Sequence, residues 1–161
     1  MNNKATEESC TPLSLDAQCE ARIGVAAEAG KVTTTAAPFA LIIDDQEAVC
    51  RIVASALAEL GVEFAAYGTA KPAIASLEHR RPEVIFLDVA LEQSDAIDVI
   101  KGLSEKRYTG IVQLMSGGRP ALLEAVQRIG VRYGLAVRPP LQKPFGDLRE
   151  VIVGLGLARS P

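Results

Sequence analysis

Four short stretches of this chain run into residues able to do chemistry. Val84-Ile85-Phe86-Leu87 leads to Asp88, and Phe39-Ala40-Leu41-Ile42-Ile43 leads to the pair Asp44-Asp45. Ile111-Val112-Gln113-Leu114-Met115 ends in Ser116 ahead of Gly117-Gly118, and Leu141-Gln142 leads to Lys143-Pro144-Phe145. Brought together, these ends would oppose three carboxylates, a hydroxyl and an ammonium: a cluster of hard oxygen donors with one counter-charge. Taken singly, none is specific. Asp88 reads as well as a cap on the next helix, Ser116 as a turn residue, and Lys143 as a solvated surface lysine. Convergence is what separates the chemical reading from the plain one.

The elements between these residues supply that convergence. Short apolar runs rich in β-branched residues read as strands buried on both faces, and Pro82 stops whatever precedes the run at 84–88. From Pro38 onward, strand and helix patterns alternate. Strands are expected over 39–43, 62–67, 84–88, 111–115 and within 135–142. Helices are expected over 46–60, 69–80, 94–106, 120–129 and 147–157. The first helix carries Val49, Ile52, Val53, Ala56, Leu57 and Leu60 at helical spacing and stops at Gly61. Thr69 stands as N-cap of the second, and the last buries Leu148, Val151, Ile152 and Leu155. Five βα units with right-handed crossovers give an α/β fold, a doubly wound parallel sheet with helices on both faces. Such sheets place ligands at the carboxyl ends of their strands.

The order Asp44-Asp45, Asp88, Ser116, Lys143-Pro144-Phe145 resembles the receiver domain of bacterial two-component response regulators, over roughly residues 37–161. A lone Asp-Asp or Lys-Pro is weak, but five positions in order, each at a strand end, make a strong combined signal. The resemblance implies a flavodoxin-like five-stranded sheet in the order 2-1-3-4-5. Strand 5 is then an edge, which suits Pro139 and Pro140. Three carboxylates at about 4 Å repel by roughly 4 kcal/mol per pair at an effective dielectric near 20, a cost that a divalent cation removes. Hard oxygen ligands suit Mg²⁺, held by Asp44, Asp45, Asp88 and, as the family implies, the backbone carbonyl of Ala90. Asp88 would be the phosphoacceptor, with Ser116 and Lys143 on the phosphoryl oxygens and Lys143 joined to Pro144 by a cis peptide. A histidine kinase or phosphotransfer protein would supply the phosphoryl group, and a protein partner would read the result. The domain itself would do no chemistry beyond its own phosphorylation and dephosphorylation.

The chain also departs from the family pattern. The position three before the lysine, usually an aromatic that rotates on activation, is Pro140, and the nearest aromatic upstream is Tyr133. The signal is therefore expected to travel through Ser116, Gly117-Gly118 and helix 4. The stretch from Ser116 to Lys143 is long, so helix 4 is extended or its loop rebuilt. Leu91-Glu92-Gln93-Ser94-Asp95 replaces the customary proline and Asp-Gly pair after the acceptor. Ala90 and Gly118, each two residues beyond a site residue, are small and uncharged.

Composition excludes several other classes. The 161 residues are 48% apolar with a net charge of −3, enough for one core and with nothing to call for nucleic acid or an anionic membrane. No apolar run approaches membrane-spanning length, and the N-terminus, with Glu7, Glu8 and Asp16, is no secretory signal. Cys10, Cys19 and Cys50 show no metal or disulfide spacing, which favours a reducing cytoplasm. His79 reads as a surface residue. Residues 1–36 form an extension expected to be mostly disordered or weakly helical over 15–29, with 37–161 the receiver-like domain. The chain stops soon after helix 5, consistent with a stand-alone receiver. The competing readings are a receiver cut from a longer regulator with a cyclic-dinucleotide phosphodiesterase output, and an aspartyl-nucleophile phosphohydrolase. The latter usually carries Asp-x-Asp on the first strand. A receiver-like module that no longer takes phosphate fits poorly with all five positions present.

Overall fold

The computed structural model describes residues 37–92, 95–118 and 120–158. The expectations for residues 1–36, for Ser94 as a helix start and for the last three residues lie outside them. The elements are β1 (Phe39–Ile43), α1 (Glu47–Glu59), β2 (Glu63–Tyr67), α2 (Ala70–Ser76), β3 (Val84–Asp88), α3 (Ala96–Glu105), β4 (Ile111–Ser116), α4 (Pro120–Arg132), β5 (Ala136–Gln142) and α5 (Leu148–Gly154). The strands form one parallel sheet in the order β2-β1-β3-β4-β5. This is the expected α/β architecture, with β5 at an edge.

Alternation along the central strands divides the core into two layers. Leu41, Ile43, Ile85, Leu87, Val112 and Leu114 pack with Ala73 of α2, Val99, Ile100 and Leu103 of α3 and Val126 of α4. Ala40, Ile42, Val84, Phe86 and Met115 pack with Cys50, Val53, Ala54 and Leu57 of α1 and Leu148 and Ile152 of α5. Every residue of β3 is buried, as its unbroken apolar run requires. Each large side chain fully buried there contributes roughly 1.5–3 kcal/mol. None of the described helices is long and apolar enough to cross a membrane.

Local sequence sets the helix ends. Asp95 caps α3 by accepting from the Ile97 N–H at 2.9 Å, and Asp147 caps α5 by accepting from Arg149 and Glu150. Pro120 opens α4, where a missing N–H costs nothing. Several expectations need correction. Ile52 is 53% exposed, because the buried stripe of α1 is Cys50, Val53, Ala54 and Leu57, one step round from the pattern read in sequence. α2 ends at Ser76, after which Leu77, Glu78 and His79 make tighter bonds to the carbonyls three residues back. Thr69 stands at its N-cap but makes no side-chain capping bond. α4 runs on to Arg132 through Gly130, extended as the long Ser116–Lys143 interval suggested. A Cβ at Gly130 would lie 2.6 Å from Val137 Cγ2, so glycine there lets α4 lie close on β5.

Candidate functional site

β1 and β3 are neighbours at the point where the strand order reverses, and Asp44 and Asp88 leave their carboxyl ends side by side. Both lie on the α1/α5 face of the sheet, continuing the alternation of Ala40–Ile42 and Val84–Phe86. Asp44 is 2% exposed and Asp88 1%. Asp45, half-buried, joins them: one oxygen of each of the three lies within 4.8 Å of the others, a group able to hold a metal ion. Backbone amides fix two of the acids. Asp44 Oδ1 accepts from the Gln46 N–H at 2.9 Å, and Asp45 Oδ2 from the Glu92 N–H at 2.7 Å.

Lys143 completes the cluster from the far edge. Its Nζ donates to Asp44 Oδ2 at 2.5 Å and lies 3.1 Å from Asp88 Oδ1. The second contact is an ion pair without hydrogen-bond geometry, for both Asp88 oxygens are buried with no hydrogen-bond partner. A buried carboxylate with neither oxygen hydrogen-bonded is costly unless something binds it. Burial pushes Asp44 above the usual carboxylate range. The Lys143 hydrogen bond and the Gln46 N–H pull it down, and the charge of Asp88 pushes it up again. The Lys143–Pro144 peptide is cis, as the resemblance implied.

Ser116 ends β4, one residue beyond the pairing of Asp88 with Met115. Its Oγ accepts from the Gly118 N–H at 3.4 Å, and its carbonyl accepts from the Lys143 N–H at 2.7 Å. Among the described hydrogen bonds, the Ser116 hydroxyl serves its own loop and not the acids. Ala90 lies exposed in the loop after β3, two residues beyond Asp88. His79 is exposed beyond α2, as expected.

Two buried residues went unmarked in the sequence. Cys50 is buried, and its Sγ donates to the Asp44 carbonyl at 3.3 Å. Burial, and then the Asp44 charge, push its thiol up to about 11, so it is a protonated donor and not a nucleophile. Nothing in the sequence marks it beyond its place on α1. The other is Gln113, buried in mid-strand. A lone amide in an apolar run was its only signal.

Comparison with known proteins is consistent with this geometry. Residues 40–146 match the family model of the response regulator receiver domain. The transcriptional regulatory protein PdtaR of Mycobacterium tuberculosis is 28% identical over 127 residues, 78% of this chain and 58% of that protein. The luminescence regulatory protein LuxO of Vibrio campbellii is 33% identical over 64 residues, 40% of this chain and 14% of that one. This chain thus spans less than two thirds of the length of either relative. In fold it matches the receiver domain of NtrX from Brucella abortus with a TM-score of 0.61, at 24% identity, covering 73% of this chain and 97% of that one. It also matches the signal receiver domain of an HD domain-containing protein from Pseudomonas fluorescens with a TM-score of 0.64, at 20% identity, covering 76% of this chain and 94% of that one.

Proposed function

The chain belongs to the response regulator receiver family of two-component signalling, and from that premise we propose that it is a phosphorylation switch whose acceptor is Asp88. One observation carries the reading: Asp88 is buried, both its oxygens lack hydrogen-bond partners, and Lys143 and two further carboxylates stand against it. A histidine kinase or phosphotransfer protein would be the donor, in the cytoplasm, and a downstream protein would read the modified surface.

The donor set fits Mg²⁺. All the side-chain atoms are carboxylate oxygens, hard ligands of the kind this ion prefers, and the Ala90 carbonyl would add another. Bound there, Mg²⁺ would supply charge neutralisation for the acids and the incoming phosphate. The chain's own residues do the rest. An Asp88 oxygen attacks phosphorus, an O–P bond forms, and the P–N bond to the donor imidazole breaks. The imidazole then takes a proton from solvent. Lys143 meets the charge of the transferred group with an ammonium already held by Asp44. Ser116 would release the Gly118 N–H and turn its hydroxyl to a phosphoryl oxygen. That turn would carry the event into the Gly117-Gly118 loop and α4. Beyond this self-modification the domain turns over no substrate.

The test is intact-mass analysis after incubation with Mg²⁺ and a small phosphodonor such as phosphoramidate. One phosphoryl group should appear on the wild type and none on Asp88→Asn. Labelling of the variant at the wild-type level would sink the assignment, and release of phosphate from a generic phosphatase substrate would favour the phosphohydrolase instead.

A further inference from the structure

β4 and β5 do not pair regularly. Gln113 stands opposite Arg138, but Met115 stands opposite Leu141 and Ser116 opposite Gln142. One residue of β4 is thus matched by two of β5: Pro139 and Pro140 together face Leu114. This is a β-bulge on the edge strand, built from two residues that have no N–H to offer the ladder.

The bulge changes which way the rest of the strand faces. Val137 packs with the α2–α4 layer, whereas Leu141 packs with the α1/α5 layer. Four residues apart, they would share a face in a regular strand. The extra residue turns Leu141 to the α1/α5 side, and Lys143, two further on, follows it to the side of Asp44 and Asp88. Without the bulge, Leu141 would stand opposite Ser116, and Lys143 would be displaced by one residue, roughly 3.3 Å, onto the wrong face.

Gln113 is the side chain that meets the bulge. It is 3% exposed, in mid-strand among apolar neighbours, a costly place for an amide unless it is used. Its Nε2 donates to the Pro139 carbonyl at 2.7 Å and to the Leu114 carbonyl at 3.2 Å. It therefore bonds the bulge residue itself and the β4 carbonyl beside it. Pro140, where the family usually places a rotating aromatic, is the second bulge residue.

We propose that Gln113 is a positioning residue for the phosphorylation site: its buried amide holds the Pro139-Pro140 bulge, and the bulge sets the β5 register that aims Lys143 at Asp88. The proposal rests on the reading of Lys143 given above, and two variants test it. Gln113→Leu keeps the volume and loses the donor. Deleting Pro140 removes the extra residue, so that Arg138 to Leu141 spans the same two steps as Gln113 to Met115 and the register no longer needs the amide.

Three measurements are made on each variant and on the two combined: the β4–β5 register from inter-strand NMR contacts between Ser116 and Gln142–Lys143, phosphoramidate labelling with Mg²⁺, and calorimetric titration of Mg²⁺. Gln113→Leu should lose the register contacts and label about a hundredfold more slowly, the scale of an ångström-level misplacement. It should bind Mg²⁺ as the wild type does, because the acids stand on β1 and β3. Deleting Pro140 in that background should restore both contacts and rate. A Gln113→Leu protein with wild-type contacts and rate overturns the proposal. So does a combined variant that is slow or unfolded, and this variant carries the test should Gln113→Leu alone fail to fold. If the wild type takes no label, the phosphorylation reading falls, while the register contacts still decide the role of Gln113.

Discussion

The two halves of the site are made in opposite ways. The acids come from β1 and β3, which pair in unbroken register at the centre of the sheet and are almost entirely buried. The ammonium comes from β5, a half-exposed edge strand with two prolines and a broken register. Regular alternation suffices to place Asp44 and Asp88, since any buried strand with an acid at its end and the right parity would do so. Placing Lys143 takes a departure from alternation, and a departure needs its own support. Oxygen donors are thus fixed by generic burial, while the counter-charge that faces them depends on one buried amide and a close helix.

The sharpest way to break this comparison is on the acid side. Asp45 contributes one of the three carboxylates, and its partner, the Glu92 N–H, cannot replace it. Asp45→Ala should weaken Mg²⁺ binding by roughly a hundredfold, since ligand charge and number set the affinity of such sites, and phosphodonor labelling should fall with it. Calorimetric titration reads the first and intact mass the second. Wild-type affinity in the variant would mean that the ion binds away from these acids.

The same contrast explains what was legible in the sequence. Apolar runs ending in acid announce themselves, so Asp44, Asp45 and Asp88 were found by position before any resemblance was drawn. The strand order followed only from the resemblance, because periodicity says nothing about which strands are neighbours. The bulge was hidden for a related reason. Pro139 and Pro140 marked an edge strand, but a register shift is a relation between two strands and has no signature within either. Ile52 was misplaced because its spacing suits an apolar arc wider than the one α5 covers, and Cys50 entered the core in its stead. The long Ser116–Lys143 interval left open whether α4 or its loop was the longer, because a glycine such as Gly130 weakens a helix. Its packing against Val137 and Ile100 overrides that propensity.

Gly130 allows a gentler test on the lysine side. In an isolated helix, alanine would be favoured there by about 1 kcal/mol. Here its Cβ would lie 2.6 Å from Val137 Cγ2 and 3.4 Å from Ile100 Cδ1. Valine is stiff at χ1, so α4 or β5 must shift, and overpacking of this kind costs about 1–3 kcal/mol. Gly130→Ala should lower stability to urea by about 1 kcal/mol net, slow labelling, and leave Mg²⁺ affinity unchanged. A variant as stable as the wild type would show that α4 slides freely over β5, and a loss of metal affinity would show that the two halves are not separable.

The smallest effect lies at the amino end of β4, away from both halves. The Tyr108 ring is buried beside Val112 and Leu103, and its hydroxyl donates to the Ile111 carbonyl at 3.3 Å. Glycine at 110 leaves it room, since a Cβ there would fall 2.3 Å from the Tyr108 oxygen. Burial, and after it the charge of Glu83, raise the phenol above its ordinary value, which is near 10. Below about pH 10 the phenol is neutral in both states, and its share of the stability is intact. Above that, the unfolded chain gives up the proton while the folded one keeps it, so stability falls by as much as ~1.4 kcal/mol per pH unit from this group. Tyr108→Phe should cost about 0.5–1 kcal/mol at neutral pH through the lost hydrogen bond, yet be free of that slope. Urea unfolding of both proteins across pH 8 to 11 should show the gap between them closing above roughly pH 10. Every other group is common to the two proteins and cancels in the difference. Mg²⁺ affinity at neutral pH should match the wild type. Parallel stability curves would mean that the folded state releases the Tyr108 proton as readily as the unfolded chain, and that the amino end of β4 is open to water.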